Sequence, residues 1–127
     1  MSQVVFDSSV VLAWLLREAG SNLILAHIPD AVISSVNAAE AQTRMVRQGT
    51  NPKAAWKSIL SSVRAIIPFD AAQAELAGTL VGQTQPHGLS LGDRACLALG
   101  LAMKAPVYTA DRAWAQLQVG VEVRLVR

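Results

Sequence analysis

The sequence predicts an α/β fold in which helices cover a mostly parallel β-sheet. Short apolar runs rich in β-branched residues recur along the chain, as expected of strands that are buried on both faces. Longer segments with helix-start residues lie between these runs, and alternation of strands with helices is typical of an α/β sandwich. Because no internal repeat, low-complexity tract or linker interrupts the sequence, we expect one domain over residues 1–127.

The N-terminal elements are predicted from two apolar runs and the polar residues between them. VVF (residues 4–6) is the first predicted strand. Ser8 or Ser9 is expected to cap a first helix that runs to about Arg17. AVIS (residues 31–34) is the second predicted strand.

The middle of the chain is predicted to contain three helices and the third strand. Ser35 is expected to cap a helix that ends near Gly49, since glycine commonly follows a helix. The Asn-Pro pair at residues 51–52 opens the next helix, with proline at its first position. AIIPF (residues 65–69) is the third predicted strand, and its proline indicates a position near the sheet edge. Asp70 is expected to cap the alanine-rich helix that follows.

The C-terminal elements begin after a predicted loop, TQPHG (residues 84–88). Ser90 is expected to cap the nearly all-apolar helix LGDRACLALGLAM (residues 91–103), which should be buried. The remaining predicted elements are the strands PVYTA (residues 106–110) and VEVRLV (residues 121–126), with a short helix around Arg112–Leu117 between them.

Four of the nine acidic residues occupy unusual positions in this scheme. Asp7 follows the first strand and Asp111 follows the fourth, while Glu40 and Asp93 lie in the second and the most apolar helix. Functional sites of open parallel sheets form at the carboxyl ends of strands, where the strand order reverses. The four carboxylates are therefore predicted to share one site.

Each of the four acids also has a purely structural interpretation that stays open at this point. No single position decides between the two interpretations. The structural interpretation, however, does not explain why two strand ends and two helices each carry one of these acids. The structural roles are Asp7 capping its own helix, Glu40 pairing with Arg44, Asp93 completing a capping box with Ser90, and Asp111 capping the helix that begins at Arg112.

Neighbouring carboxylates repel one another unless a cation joins them. A site built from carboxylates alone suits Mg²⁺, with Mn²⁺ able to substitute. The two histidines, His27 and His87, fall in or near predicted solvated loops, and the sequence has no zinc-binding spacing and no Gly-rich phosphate loop. We therefore expect a magnesium site of the four acids.

Charge and composition indicate the class of ligand and the compartment. Setting the four acids aside leaves five acids against eleven lysines and arginines, and a basic surface around a metal site suits a polyanion such as RNA. The single cysteine, Cys96, excludes an internal disulfide and fits a reducing cytoplasm. The apolar runs are too short to span a membrane, and no signal-like segment argues for export.

Three segments together carry a resemblance to a known family. VVFDSSVVLAWLL (residues 4–16), SSVNAAE (34–40) and GLSLGDRACLALGLAMKAPVYTADRAW (88–114) resemble the PIN-domain ribonucleases of the VapC toxin family. The resemblance implies a three-layer α/β/α sandwich with strand order 3-2-1-4-5. It assigns catalysis and metal binding to Asp7, Glu40, Asp93 and Asp111, and support of the metal and its waters to Ser8 and Thr109.

The same resemblance implies an activity and partners. The activity is metal-dependent cleavage of RNA by a toxin that inhibits translation and growth, and the partner is a small VapB-type antitoxin. Some relatives have an additional acid shortly after the last motif aspartate, whereas here Arg112–Trp114 follow Asp111. Exposed apolar faces that carry Trp14 and Trp56 are expected to form a homodimer contact and an antitoxin groove, unless these tryptophans belong to the core.

Two other interpretations remain open from the sequence. A phosphoacceptor receiver domain has a similar sheet and an acidic Mg²⁺ pocket, but it needs paired acids after the first strand and a lysine at the last. Here Asp7 stands alone and the last strand carries Arg124. The other is a catalytically silent PIN-like binding module. Three arginines close in sequence to the acids could bind phosphates or form salt bridges: Arg44, Arg94 and Arg112.

Overall fold

Five short strands form one parallel sheet in the computed structural model, which describes residues 2–127. The strands are β1 (Val4–Phe6), β2 (Ala31–Ser34), β3 (Ala65–Ile67), β4 (Val107–Thr109) and β5 (Val123–Leu125). Their order is β3-β2-β1-β4-β5, which confirms the expected 3-2-1-4-5 arrangement. A receiver domain has the order 2-1-3-4-5, so that interpretation is excluded.

Helices connect consecutive strands and cover both faces of the sheet. They are α1 (Ser8–Leu15), α2 (Ser21–His27), α3 (Ser35–Arg47), α4 (Pro52–Leu60), α5 (Ala71–Thr79), α6 (Val81–Thr84) and α7 (Leu91–Met103). Single 3-10 turns are formed by Ile28–Asp30, Gln85–His87 and Arg112–Gln116. Over residues 2–127, no helix has the length and apolar character needed to cross a bilayer.

The central strand contributes side chains to two separate cores. Val4 and Phe6 pack with α1 to α4 on one face, whereas Val5 packs with α7 and Trp114 on the other. Successive strand residues point to opposite faces, so a strand that is buried on both faces shows no polar alternation. The expected three-layer α/β/α sandwich is confirmed, and it buries β1 up to the residue that precedes Asp7.

Two predicted helix caps are wrong, and both errors involve adjacent serines. Ser34, not Ser35, caps α3, because its Oγ accepts from the Val36 amide at 3.2 Å. Ser35 instead accepts a hydrogen bond from the amide of Phe69 at 3.0 Å. Neither serine after Asp7 caps α1, since Asp7 itself occupies the cap position and makes no side-chain capping bond.

Neither helix α2 nor the helical structure of residues 84–87 was predicted from the sequence. Gly20 precedes α2 with a φ of 97°, and a Cβ there would lie 2.2 Å from the backbone oxygen of Val126. This helix start therefore depends on a contact with the far end of the chain. Residues 84–87 are helical, and only Gly88 remains a left-handed turn.

His27 is not a solvated loop residue, because it ends α2 and its ring packs against Tyr108 with centroids 4.7 Å apart. Its Nε2 lies 3.2 Å from the Tyr108 hydroxyl. His87 is exposed at the end of a 3-10 turn. Both histidines are thus accounted for without a metal.

Candidate active site

Asp7 lies at the carboxyl end of β1 and is only 3% exposed. Its amide donates to the Tyr108 carbonyl at 3.0 Å, which fixes it beside the end of β4. Its Oδ2 accepts hydrogen bonds from the Ser9 hydroxyl at 2.7 Å and the Thr109 hydroxyl at 3.1 Å. Its Oδ1 is buried and has no hydrogen-bond partner among the described residues. One carboxylate oxygen is therefore held by the protein and the other is free to bind a ligand.

Ser9 links the carboxyl ends of β1 and β4, a role that the sequence analysis did not assign to it. Its hydroxyl donates to Asp7 and accepts from the Ala110 amide at 2.9 Å. Thr109 adds a second link, since its Oγ1 donates to Asp7 Oδ2 at 3.1 Å and accepts from the Asp111 amide at 3.1 Å. Ser8, which the resemblance proposes for metal support, lines a groove together with Glu40. The available signal was the Asp-x-Ser spacing, which allows a local side-chain hydrogen bond.

Glu40 reaches the site from α3 and lies against the first turn of α7. Its Oε1 accepts a hydrogen bond from Asn37 Nδ2 at 2.9 Å, and the same nitrogen donates to the Gly92 carbonyl at 2.9 Å. Glu40 does not form the suggested ion pair with Arg44. The ion pairs within residues 2–127 are Glu122–Arg124 and Glu18–Arg127. Glu40 is therefore positioned by an amide and carries an uncompensated charge.

Asp93 and Asp111 both make the capping contacts that the sequence allowed. Asp93 forms a full capping box with Ser90, its Oδ2 accepting from the Ser90 amide at 2.9 Å. Asp111 Oδ1 accepts from the Ala113 amide at 2.9 Å. Each of these contacts occupies one carboxylate oxygen. The capping roles therefore leave the second oxygen of each acid available.

The acids influence one another electrostatically. The pKa of the Asp7 carboxyl is raised to about 6, chiefly by burial and also by the charge of Asp93, while hydrogen bonds from Ser9 and Thr109 oppose the rise. Burial also raises the pKa of the Cys96 thiol, and so do the charges of Asp7, Asp93 and Glu40. The charges of Asp7, Asp93 and Glu40 thus act on the same buried thiol, and the repulsion between Asp93 and Asp7 favours a cation near them.

The donor chemistry of these residues fits a divalent metal ion. All four predicted ligands are carboxylates, which suits Mg²⁺ or Mn²⁺, and Asp7 Oδ1 is a buried oxygen without a partner. In the described part of the chain, no three His, Cys, Asp or Glu side chains are close enough to hold one ion together. Direct binding of one ion by three of these acids therefore requires side-chain movement.

A groove of about 830 Å³ lies between α1 and α3 and includes Glu40 in its lining. We call it the basic groove, since Arg44 and Arg47 line it together with Ser8, Leu12 and Glu40. Both arginines are exposed, and neither has an ion-pair partner within residues 2–127. The groove thus joins an acidic end to two free guanidinium groups.

The other two arginines near the acids differ from this pair. Arg94 Nη1 donates to the Ala77 carbonyl at 2.8 Å, so this side chain links α7 to α5. Arg112 is exposed directly after Asp111. Neither is part of an ion pair in the described chain, so Arg94 has a structural contact and Arg112 is free.

A parallel sheet of order 3-2-1-4-5, with acids after its two central strands, defines an α/β domain of the PIN type. The profile of the PIN domain family matches residues 4–120. The chain belongs to the PIN domain family, as the three sequence segments indicated. Among curated proteins, no sequence matches this chain significantly.

Solved structures share this fold at low sequence identity. A chain of DNA-bound VapBC from Salmonella typhimurium matches with a TM-score of 0.75 and 12% identity, covering 100% of both chains. A chain of VapBC2 from Rickettsia felis, bound to a promoter DNA fragment, gives 0.73 and 16%, covering 96% of this chain and 97% of the other. VapC20 from Mycobacterium tuberculosis, a sarcin-ricin loop cleaving toxin, gives 0.73 and 18%, with coverage of 94% and 99%. These likenesses show a common fold.

Proposed function

We propose that this protein is a metal-dependent endoribonuclease and the toxin of a VapBC-type toxin–antitoxin module, which cleaves RNA in the cytoplasm and so inhibits translation and growth. The observation that carries the proposal is the buried Asp7, whose free Oδ1 lies where β1 and β4 end side by side. Membership of the PIN domain family and the fold shared with VapBC chains and VapC20 support it.

In the proposed reaction, Asp7, Asp93 and Asp111 would hold Mg²⁺ or Mn²⁺ directly or through water. Such an ion would supply Lewis-acid activation of the phosphodiester and of the attacking water. Ser9 and Thr109 hold the Oδ2 side of Asp7, which leaves Oδ1 for the ion. Glu40 orients a water molecule or a second ion.

The basic groove is the proposed path of the RNA strand beside the cleavage point. Arg44 lies one turn beyond Glu40 on α3 and Arg47 nearly two turns, at rises of about 6 and about 10 Å. Exposed arginines bind successive phosphates by charge-assisted hydrogen bonds, and the counterions they release add affinity. Cleavage near Glu40 and phosphate binding along α3 would then belong to one continuous surface.

RNA cleavage tests the proposed function directly. We expect the purified protein to cut RNA internally when Mg²⁺ or Mn²⁺ is present, to stop when EDTA is added, and to resume when excess Mg²⁺ is restored. Defined single-stranded and stem-loop RNAs, resolved on denaturing gels, distinguish internal cuts from exonuclease trimming. Cleavage that continues at the same rate in EDTA would contradict the metal mechanism. Binding of RNA without any cleavage would support the silent binding module instead.

Two exposed grooves, each lined by a tryptophan, support the proposed protein partners. The Trp14 groove, about 890 Å³, runs between α1 and α2 along Leu15 and Leu23. The Trp56 groove, about 400 Å³, lies on α4 beside Leu60. Both tryptophans are half-buried, so each leaves part of its ring for a partner. We assign one surface to an antitoxin segment and the other to a homodimer, since aromatic anchors usually carry much of the binding energy.

Alanine substitutions of the two tryptophans test the partner assignment. Trp14→Ala and Trp56→Ala should each weaken either antitoxin co-purification or dimer mass, and we expect a different readout for each variant. Melting temperatures of the free variants must be measured alongside, because general loss of folding would abolish both readouts together. If both folded variants retain wild-type antitoxin affinity and wild-type mass in light scattering, the assignment is wrong.

A further inference from the structure

Asn37 and Gly92, which are not among the proposed catalytic residues, hold the carboxylate of Glu40 in place. Asn37 lies one turn before Glu40 on α3, and its side chain is fully buried. Its Nδ2 donates at 2.9 Å both to Glu40 Oε1 and to the Gly92 carbonyl. Since both acceptors are oxygens, the amide orientation is determined, with nitrogen toward Glu40. A single amide thereby joins the acid on α3 to the first turn of α7.

Gly92 provides the surface on which the carboxylate lies. A Cβ at this position would be 2.0 Å from Glu40 Oε2, 2.5 Å from Cδ and 2.7 Å from Oε1, distances at which atoms overlap. Gly92 is not among the residues with positive φ, so an alanine would suit the helical backbone there. The glycine is therefore required for space and not for backbone conformation.

We propose that Asn37 and Gly92 are positioning residues that fix the Glu40 carboxylate relative to Asp93 for RNA cleavage, an inference that rests on the proposed function. Asp93 directly follows Gly92, so the contact that locates Glu40 on α7 also sets its distance from the next acid. Without it, an exposed glutamate on a helix samples several rotamers. A catalytic group that is displaced by about 1 Å loses much of its effect.

Gly92→Ala is the sharpest test, because it displaces Glu40 without deleting it. The clashing atoms are the end of a flexible side chain, so the variant should fold with a melting temperature near that of the wild type. We expect its kcat for RNA cleavage to fall about 10-fold or more. Gly78→Ala is the matched control, since a Cβ on that helical glycine meets nothing within 4 Å, and it should cleave RNA at the wild-type rate.

A double-mutant cycle shows whether the effect passes through Glu40. In a Glu40→Ala background, Gly92→Ala and Asn37→Ser should lower kcat no further, since interacting residues are non-additive. In EDTA, Gly92→Ala should raise the melting temperature more in that background than in the wild type, because the helix gains an alanine without a clash. The side-chain amide resonances of Asn37 should shift alike in Gly92→Ala and in Glu40→Ala. The melting temperatures and the Asn37 resonances can both be measured without RNA cleavage.

The outcomes separate this inference from the proposed function. If Asp7→Asn abolishes cleavage while Gly92→Ala matches Gly78→Ala, the positioning role is wrong and the ribonuclease stands. If Gly92→Ala lowers kcat equally with and without Glu40, the positioning role is also wrong. If the wild type cleaves no RNA, the proposed function is wrong. Asn37 side-chain resonances that stay unchanged in Gly92→Ala and in Glu40→Ala would contradict the contact between Asn37 and Glu40.

Discussion

Asp7→Asn is expected to lower the rate of RNA cleavage by ~100-fold or more while the protein stays folded, the loss typical of removing one preorganised electrostatic contact to a transition state. Asparagine keeps the shape of the side chain and an oxygen that can accept from Ser9 or Thr109. It removes the negative charge whose Oδ1 is buried and unpartnered. A gel-based cleavage assay at saturating Mg²⁺ measures the effect.

The exposed acid Glu75 on α5 offers a matched control. Glu75→Gln makes the same change in charge and should leave cleavage unchanged. An Asp7→Asn protein that cuts RNA as fast as this control would remove Asp7 from the reaction.

The same variant should be more stable than the wild type at high pH when metal is removed. The pKa of Asp7 is raised from 3.8 to about 6, so the folded protein binds its proton more tightly than the unfolded chain does. The free energy of unfolding of the wild type therefore falls as the pH rises from about 4 through about 6. A shift of about two pKa units corresponds to about 3 kcal/mol. Asparagine carries no such charge, so the free energy of unfolding of Asp7→Asn does not fall for this reason as the pH rises.

Urea unfolding in EDTA at pH 4 and at pH 8 tests the sign. The stability of Asp7→Asn relative to the wild type should be greater at pH 8 than at pH 4. Glu75→Gln should have the same pH dependence as the wild type. Parallel pH curves for the wild type and Asp7→Asn would mean that the Asp7 charge is compensated in the fold.

Trp114→Ala is expected to lower the free energy of unfolding by ~3–5 kcal/mol, the range for truncating a large buried aromatic side chain. Trp114 is fully buried in the core beneath β4 and β5, and total stabilities of single domains are only about 5–15 kcal/mol. It also anchors the 3-10 turn Arg112–Gln116, which begins next to Asp111. Loss of the ring therefore loosens one acid as well as the core.

The half-buried tryptophans provide the comparison for this variant. Trp14→Ala and Trp56→Ala should each be less destabilising than Trp114→Ala, because part of each ring already contacts solvent. Urea midpoints of the three variants give the ranking. If Trp56→Ala proved as destabilising as Trp114→Ala, the exposed Trp56 groove would be part of the core instead.

Strands and long helices were predictable because their signals are local. The apolar runs at 4–6 and 31–34 and the apolar helix at 91–103 carry their own pattern, and all three are found. Helix α2 was not predictable, since its start depends on Gly20 contacting Val126 at the other end of the chain. Adjacent serines such as Ser34 and Ser35 offer the same capping chemistry, and only the distant hydrogen bond from the Phe69 amide to Ser35 distinguishes them.

The candidate acids are visible in the sequence, whereas the residues that hold them are not. Carboxylates at strand ends are visible in the sequence because charge next to an apolar run is rare. The roles of Ser9 and Asn37 arise from contacts with residues 101 and 55 positions away, which no local pattern contains. The capping contacts of Asp93 are local and were foreseen, and they coexist with its effect on the pKa of Asp7.

The pairing of β1 with β4 has a consequence for how the protein is made. Asp7 and Thr109 are 102 residues apart in sequence but share a hydrogen bond, so the central pair of strands closes a very long loop. Chains dominated by such distant contacts fold slowly, and synthesis proceeds at about 5–20 residues per second. A nascent chain that ends before β4 lacks Thr109 and Asp111 altogether. A complete site can therefore form only after β4 and Asp111 have left the ribosome tunnel.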